Sequence, residues 1–126
     1  MIIFSATKQG SWLADDLASD LRVLNEAEAA GIDIEVIEGC YKGEMELAFI
    51  TSNVEFGRMQ AKKYKQESYL ERGHYGVWYL IETETGNILQ SFDKIVEVSK
   101  DRALKSDGWS KIDDKYYLGV FPRTYR

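Results

Sequence analysis

The chain has one cysteine, one histidine and one proline, and each scarcity removes a class of protein. Cys40 alone permits neither an intrachain disulfide nor a thiolate metal cluster. A metal site with several histidine ligands is excluded, and a Ser–His–acid triad would rest wholly on His74. That residue stands beside Gly73 in a turn, where an exposed polar side chain is the simpler reading. No Walker loop and no Gly-x-Gly-x-x-Gly run follows any strand-like segment. No stretch approaches the ~20 apolar residues of a membrane span. The opening MIIFSATKQGSWLADD lacks the basic start and apolar length of a signal peptide. No metal, cofactor or membrane is therefore expected, and a reducing cytoplasm is the expected location.

What is present suits one globular domain over residues 1–126, with 44% hydrophobic and 13% aromatic residues. The formal net charge of −5 disfavours an approach to phosphate, so nucleic acid is not an expected partner. The same excess weakly favours cationic ligands.

Periodicity supplies the elements. The run Ile2–Ala6 reads as a strand. Ser11 can cap a helix with Asp15 and Asp16 in its first turn, and Leu13, Leu17, Leu21 and Leu24 set a stripe toward a sheet. Gly31 fits its C-terminal cap. Ile32, Ile34 and Val36 alternate with Asp33 and Glu35 on a second strand. A Gly-bracketed turn leads to a third, where Met45, Leu47 and Phe49 oppose Glu44, Glu46, Ala48 and Ile50. Asn53 can cap a second helix bearing Phe56, Met59 and Tyr64, with lysines in its last turn. Residues 66–71 form a fourth strand, and residues 75–83 form the strongest one, rich in aromatic and β-branched residues. Residues 88–98 suggest a further strand broken near Asp93, residues 99–110 a polar loop, and residues 115–121 a last strand.

The first six elements run βαββαβ, which predicts an α+β, ferredoxin-like sheet with two helices on one face and extra C-terminal strands. The other face would mix Glu44, Glu46, Ala48 and Ile50 with aromatic residues. Such a face is expected to be buried against copies of the chain or to hold a ligand.

Two segments carry candidate chemistry. Residues 39–46, GCYKGEME, offer a phenol and two carboxylates around a hairpin, and Gly39 and Gly43 let backbone approach a ligand. A plain hairpin with solvated charges is the alternative. Gln66 and Glu67 follow the second helix, where an acid opposes the helix dipole, though a simple helix end would look the same.

The pattern GCYKGEMELAF, then QESYLE after one helix, then an aromatic strand and Leu118-Gly119-Val120-Phe121 resembles the small phage-encoded S-adenosylmethionine lyases, long described as hydrolases. The resemblance covers roughly residues 36–121. It implies Tyr41 and Glu46 as catalytic residues and Gln66, Glu67, Glu44 and Gly43 as substrate-binding ones, with Glu44 competing with Glu46 as the key acid. It further implies a PII-like homotrimer with inward-facing sheets and sites between subunits. The implied reaction converts S-adenosylmethionine to homoserine lactone and 5′-methylthioadenosine, which would starve host restriction–modification enzymes. The alternative function is a phage inhibitor that binds a host defence protein without turnover, including an acidic mimic of DNA.

Overall fold

The computed structural model describes residues 1–6, 13–41, 43–92, 94–106 and 108–120. Its elements are β1 (Ile2–Phe4), α1 (Leu13–Ala29), β2 (Glu35–Tyr41), β3 (Glu44–Thr51), α2 (Val54–Lys63), β4 (Ser68–Arg72), β5 (Trp78–Glu82), β6 (Ile88–Phe92), β7 (Lys94–Val98), α3 (Lys100–Leu104), β8 (Trp109–Ile112) and β9 (Lys115–Val120). A short 3-10 turn, His74–Gly76, joins β4 to β5. The expected N-cap Ser11 and the residues Phe121 and Pro122 lie outside the described residues.

The nine strands form one sheet in the order β6-β5-β4-β1-β3-β2-β8-β9-β7. Every described pairing is antiparallel. The expectation of a ferredoxin-like fold, with two helices on one face of a small sheet, is thereby corrected to a nearly closed, barrel-like sheet with three helices. The later strands extend both edges of the sheet: β5 and β6 add to β4, while β8, β9 and β7 add to β2.

Closure follows from connectivity. β6 and β7 stand at opposite ends of the strand order, yet only residue 93 separates them in sequence. Two virtual Cα bonds span at most about 7.6 Å, so the ends Phe92 and Lys94 must lie close together and the sheet must curl to bring those two ends of its outer strands near each other. Curling removes most of the exposed edge that an open sheet would present.

The two faces of the sheet consequently carry two cores. On the concave side Ile3, Ile37, Ala48 and Trp78 are buried, with Ile50, Leu70, Phe92, Ile95 and Ile112 packed against them. Each strand from β1 to β8 supplies a residue to this cluster. The mixed face expected to be covered by copies of the chain is thus lined by the chain's own later strands, and an inward-facing, PII-like packing of sheets is not available to it.

On the convex side Ile2, Phe4, Phe49, Tyr69 and Ile81 meet Val23 and Ala27 of α1 and Phe56 and Ala61 of α2. Phe4 packs with its ring centroid 5.4 Å from Phe49 and edge-on at 6.3 Å from Phe56. The leucine stripe is corrected in part: Leu24 packs against the convex core as expected, but Leu17 is 50% and Leu21 60% exposed. The buried apolar residues of α1 are Val23 and Ala27 instead. On β2 the deeply buried residue is Ile37 (3% exposed), whereas Val36 is 43% exposed. Ile32 and Ile34 pack on the convex core from the approach to the strand.

α2 begins as expected: the Asn53 side chain accepts a hydrogen bond from the Phe56 amide at 3.0 Å. Thr51 steadies this entry, its hydroxyl donating to the Asp33 carbonyl (2.8 Å) and accepting from the Asn53 amide (3.1 Å). Gln60 and Lys63 both donate to the Glu26 carboxylate, linking the two helices. Met59, expected on the buried face, is largely exposed, and Gly57, Gln60 and Ala61 take its place. Residues 99–110, expected to be a loop, contain α3 and the start of β8.

Candidate functional site

β1 and β4 pair only through Ile2–Glu71 and Ile3–Leu70, although β4 continues back to Ser68. Beyond Ile3, β1 pairs with β3 alone, Phe4 standing opposite Phe49. A cleft of about 280 Å³ lies at this end of the sheet. Ile3–Ser5 of β1 and its continuation form one wall, and residues 65–70 form the opposite one. Gly39 and Cys40 of β2, Glu46 and Ala48 of β3, Leu80 of β5 and Trp109 and Ser110 of β8 complete the lining.

The β2–β3 hairpin places Gly39 opposite Glu46 and Tyr41 opposite Glu44, with Gly43 in its turn at φ 80°. A β-carbon at Gly39 would meet the Trp109 carbonyl at 3.7 Å and the Ala48 methyl at 3.9 Å. Glycine there leaves a methyl-sized space in the cleft. On the other flank of β2, Gly39 faces Ser110 and Cys40 faces Trp109. The next pair, Glu38 and Lys111, is joined by an ion pair of 3.3 Å that holds this register. Glu38 also raises the Lys111 pKa above its usual value. Trp109 is buried and edge-on to Tyr116, centroids 5.3 Å apart.

The opposite wall is fixed by the end of α2. Tyr64 is the cap, the Lys65 amide donates to the Lys62 carbonyl (3.1 Å), and the Gln66 amide donates to the Ala61 carbonyl (2.9 Å). This is a Schellman arrangement, with Lys65 in the left-handed position at φ 52°. Gln66 and Glu67 therefore leave the helix by a fixed path, and the Glu67 carbonyl accepts from the Thr83 amide at 3.1 Å. Because the last carbonyls of α2 are satisfied by this cap, the expected opposition between Glu67 and the helix dipole is weak. Tyr69, one turn of chain further, is buried, which raises its phenol pKa.

Of the residues singled out from sequence, Gly39, Glu46, Gln66 and Glu67 line this one cleft. Gly43 sits at the hairpin tip and is not part of the lining. The side chains of Tyr41 and Glu44 lie outside the described residues, and their backbones pair at the end of the hairpin. His74 is exposed in the 3-10 turn and does not line the cleft. Sequence reasoning missed Lys65, Trp109 and Ser110. The last two fell in the supposed loop, although Ser99 and Asp101 signal a helix start.

Among the described residues no cluster of three or more His, Cys, Asp or Glu could hold a metal ion. No described helix is long and apolar enough to cross a membrane. No protein family model matches the chain, and no curated protein matches it.

The arrangement can grip a small cationic molecule. Glu46 and the exposed Glu67, from different parts of the chain, line a recess that also has aromatic and aliphatic walls.

Proposed function

We propose that the cleft binds S-adenosylmethionine and cleaves it to homoserine lactone and 5′-methylthioadenosine. The observation supporting this reading is that Glu46 of β3 and Gln66–Glu67 beyond α2, distant in sequence, line one recess. These are the positions that the resemblance to the phage lyases selects.

The reaction suits such a recess. A carboxylate oxygen of the substrate attacks its own γ-carbon as the γ-carbon–sulfur bond breaks. The bonding pair stays on sulfur, which leaves as a neutral thioether. The sulfonium is already an activated leaving group, so the protein's task is to fold the methionine moiety into line. Glu46 holds the ammonium, the Tyr41 hydroxyl serves the reacting end, and Gln66 and Glu67 fix the remainder. Aromatic neighbours favour the sulfonium and stack the adenine.

The setting we propose is a phage-infected host cytoplasm, where loss of S-adenosylmethionine disarms restriction–modification enzymes. The proposal includes a homotrimer with its contacts on the outer surface, because the concave face is filled from within; light scattering decides it.

Chromatography of the purified chain incubated with S-adenosylmethionine tests the reaction. Appearance of both products supports the lyase. Intact substrate beside an active control refutes it and leaves the inhibitor of a host protein as the reading to pursue.

A further inference from the structure

Gly39 lies inside β2 and is paired on both flanks, with Glu46 of β3 on one side and Ser110 of β8 on the other. Glycine in the interior of a strand weakens it, so the residue calls for a reason. Elsewhere in the chain the reasons are local. Gly43 turns the hairpin at φ 80°, and a β-carbon at Gly57 would overlap Ile2. Neither reason applies to Gly39. Its φ is not positive, and a β-carbon there would meet nothing closer than the Trp109 carbonyl at 3.7 Å, an ordinary contact. Backbone and packing would both accept alanine. What alanine would take away is space in the cleft, which Gly39 lines.

The pairing shows which part of the cleft this is. Residues directly opposite across antiparallel strands share a face. Gly39 therefore leaves bare backbone between Glu46 and Ser110, a span of about 10 Å for two strand spacings. The buried Ala48, whose methyl a β-carbon at Gly39 would meet at 3.9 Å, bounds the inner end. Because β2 is paired on both flanks, this floor offers contact rather than free hydrogen-bonding groups. Such a floor suits a short aliphatic chain whose polar group reaches Glu46.

We infer that Gly39 is a specificity-determining residue that admits the ligand's aminobutyrate chain to the floor of the cleft beside Glu46. This rests on the reading given under Proposed function, in which Glu46 holds the ammonium. Glu46 also has a partner within the chain, and a carboxylate, with about four acceptor sites, can serve both. The α-, β- and γ-carbons of the ligand, through which the lactone ring closes, then lie over Gly39.

Calorimetry on the full chain tests this with two unreactive probes. In the first, a protonated tertiary amine replaces the sulfonium of S-adenosylmethionine. The second is the same amine nucleoside with a methyl group in place of the aminobutyrate chain. Gly39→Ala is expected to weaken the first probe by about fivefold and Gly39→Val by about fiftyfold, the range in which overpacking falls. Both variants should bind the second within about twofold of wild type, since it makes no overpacked contact. Both should unfold at equal or higher urea concentration, because their side chains suit a strand better than glycine. Equal weakening of the two probes, or none, overturns the inference and leaves the lyase reading standing. An alanine variant that unfolds at lower urea concentration overturns it too, by making the glycine a requirement of the fold. Failure of wild type to bind the first probe overturns both.

Discussion

Gly57 tests whether α2 sits on β1 as the structure has it. On helix propensity alone, Gly57→Ala should stabilise the chain by about 1 kcal/mol. The packing gives the opposite sign. A β-carbon at Gly57 would overlap Ile2 Cγ2 and lie 2.8 Å from Ile2 Cδ1. Ile2 is completely buried in the convex core, between Phe4, Phe49 and the helices, so it has little room to yield. Overpacking of this kind costs about 1–3 kcal/mol, and a backbone-bound methyl against a buried isoleucine belongs near the top of that range. The expected net effect is a loss of about 1–2 kcal/mol, read as a lower urea midpoint with unchanged slope. In a chain of this size that corresponds to roughly 3–6 °C in Tm per kcal/mol. Ile2→Ala alone should cost about 2–5 kcal/mol. In the double variant the new methyl occupies vacated space, so the two losses should fall short of additivity by about 1 kcal/mol or more. A Gly57→Ala variant that gains stability, with strict additivity in the double variant, would refute the seating of α2 on Ile2.

Two further outcomes are expected. Lys63 first and Gln60 second hold the Glu26 carboxyl below its ordinary 4.5, while Glu26 raises the Lys63 pKa above 10.5. The stability from a lowered carboxyl is present above its unfolded pKa and lost as pH falls through the folded one; that from a raised lysine is lost only as pH rises through its folded value. The difference in urea midpoint between wild type and Glu26→Gln should therefore hold level from about pH 6 to 9. It should shrink below about pH 4.5 and again above about pH 10.5; a difference that grows on acidification would contradict the pairing. Asn53→Ala should lose about 1 kcal/mol with the cap to the Phe56 amide, against a few tenths for Asn53→Gly, both measured by urea unfolding.

Local signals in the sequence were legible where one residue type has one physical use. Asn53 capped α2 as read, Gly43 turned the β2–β3 hairpin, and the Glu46/Ala48/Ile50 face kept its alternation. Two stretches failed because they were judged one at a time. Leucines at helical spacing on α1 looked like the buried stripe, but Val23 and Ala27 are buried with Leu24 packed beside them, while Leu17 and Leu21 face outward. Trp109–Ile112 and Lys115–Val120 form a hairpin through Asp113 and Asp114, both at positive φ (48° and 65°). Such an Asp-Asp turn was available to be read.

Curling of the sheet was harder to foresee. It depends on β6 joining β5 and β7 joining β9 at opposite ends of the strand order although one residue separates them, and local periodicity carries no information about which strand a segment will join. The same limit applies to the cleft. Gln66 and Glu67 could be marked from sequence, but Trp109 and Ser110 reach the site only through the pairing of β8 with β2.

Turnover of S-adenosylmethionine by wild type, Glu46→Gln and Glu67→Gln, with Glu84→Gln on the exposed β5–β6 turn as control, tests the central claim most directly. The account expects 5′-methylthioadenosine from wild type and the control. It expects a loss of about a hundredfold or more in kcat/KM for each cleft variant, at an unchanged urea midpoint. Cleft variants that fold normally and turn over at the wild-type rate would contradict it, as would a wild-type chain that leaves the substrate intact.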